Sequence, residues 1–166
     1  DEEDLIEEEQ VAVTLTHLGY IKRIPADTYK TQKRGGKGIT GLTTRENDFV
    51  KDLIMTSTLD YLMFFTNTGK AHKIKAYEIP EATRTAKGTP AVNFLNLMQR
   101  ERITAVIPIQ EFAEDKYLIA VTKHGTIKKT ALSNFDTNRK TGLIAMNLKD
   151  GDELIGIKET TGTNNV

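Results

Sequence analysis

Three stretches of the chain carry one hydrophobic pattern and align without gaps: residues 11–19 (Val-Ala-Val-Thr-Leu-Thr-His-Leu-Gly), 61–69 (Tyr-Leu-Met-Phe-Phe-Thr-Asn-Thr-Gly) and 117–125 (Tyr-Leu-Ile-Ala-Val-Thr-Lys-His-Gly). Each is a six-residue β-rich run ending in Thr, then two residues and a Gly. The pattern predicts a strand, a hairpin turned at the glycine, and a basic strand after it at 20–24, 70–74 and 126–130. The glycines lie 50 and 56 residues apart, a period that signals propellers or solenoids. A second glycine follows in each unit, Gly38, Gly88 and Gly142, at 19, 19 and 17 residues from the first. Cations precede it (Arg34 and Lys37, Arg84 and Lys87, Arg139 and Lys140), and three positions beyond it stands a small residue followed by an apolar one, Gly41-Leu42, Ala91-Val92 and Ala145-Met146. An apolar run closes each unit around 53–55, 103–109 and 154–157.

Four short strands in a unit of about 50 residues describe a propeller-type blade. A lone blade cannot bury both faces of its sheet, so the units are expected to stack into one body. The expected divisions are an acidic linker over 1–10, blades at 11–59, 60–115 and 116–162, and a tail at 163–166. No stretch sustains a helical apolar period for long, so helix should be scarce, with short helical turns at 5–10 and 110–115.

Charge changes this picture in one respect. The 166 residues carry 23 basic and 23 acidic side chains, yet seven of the acids lie within the first nine positions. With those seven set aside, 23 basic residues face 16 acidic ones, a balance of +7 able to attract a polyanion. The leader reads as a mobile linker or tail; its alternative is an electrostatic competitor that covers the basic surface until nucleic acid displaces it. Hydrophobic content of 38% beside 28% charged residues fits a soluble globular protein. No apolar run approaches the ~18 residues of a membrane span, and no signal-peptide pattern opens the chain. The absence of cysteine excludes a disulfide framework, a thiolate metal site and a cysteine nucleophile, and fits a cytoplasmic location.

Candidate chemistry concentrates in the heptad Gln32-Lys33-Arg34-Gly35-Gly36-Lys37-Gly38, three cations and three glycines with no carboxylate. Glycines let successive backbone N–H groups turn toward an anion, and Lys33, Arg34 and Lys37 surround them with charge, Arg34 with a bidentate fork. The heptad reads as a phosphate-gripping loop, although basic glycine-rich loops are often plain surface turns. His17, His72 and His124 show no metal-ligand spacing, and 35–40 fails the nucleotide P-loop pattern because Gly38 stands where Ser or Thr should follow the lysine. Asp150-Gly151-Asp152 reads as a turn before the last strand. No metal site, cofactor or catalytic constellation is expected.

The heptad, with Tyr29-Lys30-Thr31 leading into it and the approach segment 11–25, closely resembles the signature of the C-terminal DNA-wrapping domain of the bacterial DNA gyrase A subunit. The resemblance covers nearly the whole chain. It implies an all-β fold of propeller-like β-pinwheel blades, each a four-stranded antiparallel sheet, with about three of six blades present. Open blade edges then invite self-association. It also implies non-specific binding and wrapping of double-stranded DNA by a curved basic rim, in the service of negative supercoiling by a type II topoisomerase. The partners implied are DNA, the remainder of the gyrase A subunit and the gyrase B subunit, in the bacterial cytoplasm at the nucleoid. ATP, magnesium and the DNA-cleaving tyrosine belong to other parts of such an enzyme. The candidate contacts are the heptad itself; Lys22, Arg23 and Lys30 in the first unit; Lys70, Lys73, Lys75, Arg84 and Lys87 in the second; and Lys123, Lys128, Lys129, Arg139 and Lys140 in the third. Two alternatives stand beside this reading: the equivalent domain of topoisomerase IV, whose heptad is typically degenerate, and a protein-binding propeller whose cations only solubilise.

Overall fold

The computed structural model describes residues 2–35 and 47–161. Eleven strands and one α-helix are present among them: β1 (Gln10–Thr16), β2 (Tyr20–Pro25), α1 (Ala26–Gly35), β3 (Val50–Ser57), β4 (Tyr61–Thr66), β5 (Lys70–Lys75), β6 (Thr89–Pro90), β7 (Ile103–Ile109), β8 (Lys116–Thr122), β9 (Ile127–Ala131), β10 (Leu143–Ile144) and β11 (Leu154–Thr161). They form three antiparallel sheets of one design, ordered β3-β1-β2-β6, β7-β4-β5-β10 and β11-β8-β9. Two sheets have the expected four strands; the third has three.

The repeated Thr-x-x-Gly motif builds each hairpin the same way. The glycine N–H donates to the threonine carbonyl at 3.0 Å in all three turns, at Thr16, Thr66 and Thr122. The glycines sit at φ +93°, +83° and +92°, which side chains seldom adopt. In the first and third hairpins the threonine hydroxyl also accepts the N–H of the residue after the glycine, Tyr20 at 3.1 Å and Thr126 at 3.0 Å.

The fourth strand of a sheet comes from the following repeat. In β6, Ile21 pairs with Thr89 and Tyr20 with Pro90; in β10, Ala71 pairs with Leu143 and Lys70 with Ile144. The small residue that follows each short strand donates its N–H to the hairpin glycine carbonyl at 2.9 Å, Ala91 to Gly19 and Ala145 to Gly69. The fit is close enough that a Cβ added at Gly69 would lie 2.3 Å from the Met146 carbonyl oxygen, and one at Gly88 2.7 Å from that of Ile21. The expected blade limits at 59/60 and 115/116 therefore do not bound the sheets. Two compact units result, each drawn from two stretches of chain: residues 1–60 with 75–94, and 61–74 with 95–166. The first contains the β3-β1-β2-β6 sheet. The second has one core in which Met63, Phe65, Ile109, Leu118, Ala120, Leu132, Phe135 and Leu154 are all buried.

Two expectations about helix fail. Residues 5–10 and 110–115 form no helical turn of their own, apart from Leu5 closing a 3-10 turn over Glu2–Leu5. Instead α1 forms where no apolar stripe announces it: Pro25 leads in, Asp27 favours the positive N-terminal end, and Ala26 is the residue its first turn buries. The acidic leader is also anchored rather than free. Glu9 N–H donates to the Thr58 hydroxyl at 3.1 Å, the Thr58 N–H returns a bond to the Glu9 carbonyl at 2.9 Å, and Glu3 lies 3.5 Å from the Lys75 ammonium.

Candidate nucleic-acid interface

The candidate cations divide by where the sheet sends them. Lys22 on β2 is 1% exposed and Lys73 on β5 2% exposed. The Lys22 ammonium donates to three carbonyls of the next repeat's basic loop, Thr83 at 2.8 Å, Arg84 at 2.6 Å and Ala86 at 2.8 Å. The Lys73 ammonium donates to Phe135 and Thr137, each at 2.7 Å, and lies 4.7 Å from the centre of the Phe112 ring. Burial, with the Arg84 guanidinium nearby, draws Lys22 down from the ordinary lysine value to about 8. Burial lowers Lys73 too, opposed by Asp136 and reinforced by Lys140. Both lysines were expected to meet phosphate, and both are instead consumed in seating a loop. A buried ammonium needs carbonyl partners, and these strands supply them. Arg23 and Lys75 are largely committed in the same way. Arg23 Nε donates to the Ile79 carbonyl at 2.9 Å and pairs with Glu81 at 3.5 Å, while Lys75 donates to the Leu59 carbonyl at 2.9 Å.

The loops that these strands hold carry their own cations outward. Lys87, Arg139 and Lys140 are exposed and Arg84 is half-buried. Lys87 stands over the Tyr20 ring at 4.5 Å, and Arg139 Nε is fixed by the Thr141 carbonyl at 3.0 Å. Lys30, Lys123, Lys128 and Lys129 are also exposed, and Lys70 is half-buried. Lys70 and Arg139 line a cavity of about 310 Å³ with His72, Asn96, Met98 and Glu101. Hairpin and loop cations from consecutive repeats are thus brought together, Lys70 with Arg139 in one unit and Lys22 with Arg84 in the other. Of the heptad, the backbone of Gln32, Lys33, Arg34 and Gly35 forms the end of α1, where a loop was expected. The side chains of those four residues, and all of Gly36, Lys37 and Gly38, lie outside the described residues.

One set of residues escaped the sequence reading. An acid stands two positions ahead of each closing strand, Asp48 before β3, Glu101 before β7 and Asp152 before β11. Asp48 accepts the N–H groups of Leu18 and Phe49, and Asp152 those of His124 and Glu153, all at 2.9 Å. Glu101 takes the Thr66 hydroxyl at 2.6 Å and the Met98 N–H at 2.8 Å. Burial pushes these carboxyls up, but the hydrogen bonds outweigh it and hold all three below the usual range. Each acid clamps the hairpin tip of its own repeat. The Asp150–Asp152 turn has that role, and the equal spacing ahead of three strands was the signal for it. His72 joins the middle clamp, with Nε2 facing Glu101 at 3.5 Å and Nδ1 accepting the Gly142 N–H at 3.3 Å. Among the described residues no group of His, Asp or Glu is arranged to hold a metal ion.

A strand order repeated three times, with the fourth strand passed between repeats, is matched by the family model for the DNA gyrase C-terminal domain, beta-propeller, over residues 11–57, 60–110 and 116–160. The chain belongs to this family. The gyrase A subunit of Clostridium acetobutylicum is 55% identical over the whole chain, and that of Halalkalibacterium halodurans 52%. The chain spans 20% of the length of each. A solved C-terminal domain of DNA topoisomerase IV superimposes with a TM-score of 0.78 at 28% identity, covering 95% of this chain and 47% of that one. A solved DNA gyrase A C-terminal domain gives 0.65 at 24% identity, covering 92% and 48%, and supports the fold. This gyrase C-terminal domain is therefore a mostly β, antiparallel member of the propeller type.

Proposed function

We propose that this domain binds double-stranded DNA without sequence specificity and wraps it for the negative-supercoiling activity of a DNA gyrase, together with the rest of the A subunit and the B subunit. The domain has a non-catalytic role, with the ATP and magnesium chemistry and the cleaving tyrosine residing elsewhere in the enzyme, in the bacterial cytoplasm at the nucleoid. The observation that carries this reading is the recurrence of outward cations, Arg84 and Lys87, then Arg139 and Lys140, on equivalent loops that the fold holds rigidly through buried lysines. Fixed cations neutralise phosphates without an ordering cost at the moment of binding. Each contact releases counterions, so log affinity falls with log salt by a slope of about −0.9 per phosphate neutralised. Bending 20–30 base pairs costs on the order of 1–6 kcal/mol, which only many such contacts offset.

The heptad supplies the wrap's clamp. Replacing Lys33, Arg34 and Lys37 together by alanine abolishes the topoisomer shift seen when plasmid is relaxed and ligated in the domain's presence, while bare affinity falls more modestly. An unchanged shift in that triple variant refutes the assignment, and salt-insensitive plasmid binding refutes the DNA reading itself. The topoisomerase IV reading draws on the 0.78 superposition. It is weakened by the complete heptad, and it requires that the triple variant leave the parent enzyme's activity untouched.

A further inference from the structure

Superposing the three repeats by their hairpin glycines places Ile21, Ala71 and Ile127 at one position, Lys22, His72 and Lys128 at the next, and Arg23, Lys73 and Lys129 at the one after. In the first two repeats all three positions are occupied by the incoming loop. Ile21 is 1% exposed and Ala71 0%, each paired with the residue that follows the second glycine. Lys22 and His72 bond the backbone just ahead of or at that glycine, and Arg23 and Lys73 each donate to loop carbonyls. In the third repeat Ile127 is 62% exposed, Lys128 and Lys129 are exposed, and no strand lies beyond β9 among the described residues. The ring contact beneath is nonetheless already made. Lys73 stands 5.3 Å from the Tyr61 ring and Lys129 4.4 Å from its repeat equivalent, Tyr117.

We propose that the outer edge of β9 is a docking edge for the second-glycine loop of a further repeat of this kind, with Lys128 and Lys129 as the anchors that take its backbone carbonyls. The occupant is defined by chemistry seen twice in this molecule: cations, a glycine at positive φ (+96° at Gly88, +67° at Gly142), two extended residues, then an alanine whose N–H reaches the hairpin glycine carbonyl. Its first extended residue lies against Ile127, its alanine N–H goes to the Gly125 carbonyl, and Lys128 and Lys129 become buried. The solved domains of this fold, about half of whose length this chain covers, have room for such a repeat. An exposed edge of this type is satisfied by strand addition, with main-chain bonds giving affinity and side chains giving register. This assignment is independent of DNA binding, and it removes two lysines from the set available to phosphate.

The chain has no cysteine, so register can be read by disulfide trapping. A second copy of residues 132–149 is appended after residue 166 through a flexible glycine-serine linker, which raises its local concentration to the millimolar range. Ile127→Cys in the chain should cross-link to Leu143→Cys in the appended copy at least about 10-fold faster than Lys129→Cys does, and Lys128→Met should slow the Ile127→Cys reaction about 10-fold. Amide exchange at 127–130 should slow when the appended copy is present and not when its sequence is scrambled. Equal trapping at both positions, no response to Lys128→Met, or protection equal to that of the scrambled copy overturns the proposal. Protection of the same amides by self-association of the unextended chain would assign the edge to a second copy and also overturn it.

Discussion

The hairpin strands β2 and β5 and the loops they hold, 83–87 and 137–142, are comparably rich in cations yet spend them in opposite ways. On the strands, Lys22 and Lys73 point into carbonyl cages and are lost to any ligand. On the loops, Lys87, Arg139 and Lys140 point to solvent. The difference teaches that a count of basic residues overstates the footprint. Part of the charge exists to immobilise the rest, and a held loop presents its cations at a lower entropic cost than a loose one.

Perturbing the seat itself should have the largest effect. Gly69→Ala places a Cβ 2.3 Å from the Met146 carbonyl oxygen at φ +83°, so stability should fall by about 4 kcal/mol in denaturant titrations. Gly125→Ala, at a similar φ but with nothing within 4 Å, should cost markedly less. Next in size, Lys22→Met or Lys73→Met keeps the stem and strands the carbonyls, costing about 2–3 kcal/mol. Lys87→Met should be nearly neutral, and equal losses for inward and outward lysines would erase the distinction drawn above.

A third perturbation reads the clamps through pH. The folded Glu101 carboxyl is held below its ordinary 4.5, so its contribution is fully present above that value and is lost as pH falls through the folded value. Glu101→Gln should cost about 1–2 kcal/mol near neutrality, with the gap from the parent chain closing as pH drops below 4.5. A gap that stays constant down to acid unfolding would show that the carboxylate's charge is immaterial. The smallest stability effect belongs to Lys87→Ala with Arg139→Ala, under about 0.5 kcal/mol each. Those changes should instead flatten the salt slope of plasmid binding by about 0.9 for each lost phosphate contact. Lys22→Met at a temperature where it stays folded should leave that slope unchanged.

Much of the fold was legible because its determinants are local. Thr-x-x-Gly sets the hairpin through a threonine carbonyl, a threonine hydroxyl and a positive φ, all within five residues, and the closing strands fall where the apolar runs put them. What the sequence concealed was long-range. That Thr89–Pro90 belongs with β2 follows from a pairing across some 70 residues, and no local pattern in 83–92 announces its partner. The burial of Lys22 and Lys73 was hidden for a related reason. Alternation on a strand tells which side chains share a face, but not that a neighbour's carbonyls will cover it. Helix α1 was missed because it is almost wholly polar and so lacks the apolar stripe by which helices are found. The three clamping acids were the readable omission, since Asp48, Glu101 and Asp152 keep one offset from three strands that the pattern did predict.

The two-residue strands passed forward from one repeat to its predecessor set where this protein can be cut. An excision at 59/60, natural from the gene's point of view, would carry off Thr89–Pro90 and leave β2 bare, with Lys22 robbed of Thr83, Arg84 and Ala86. Any cassette that is to survive on its own must borrow the first thirty-odd residues of its successor. Shuffling of such modules is therefore restricted to joints that move a hairpin together with the foreign loop closing it.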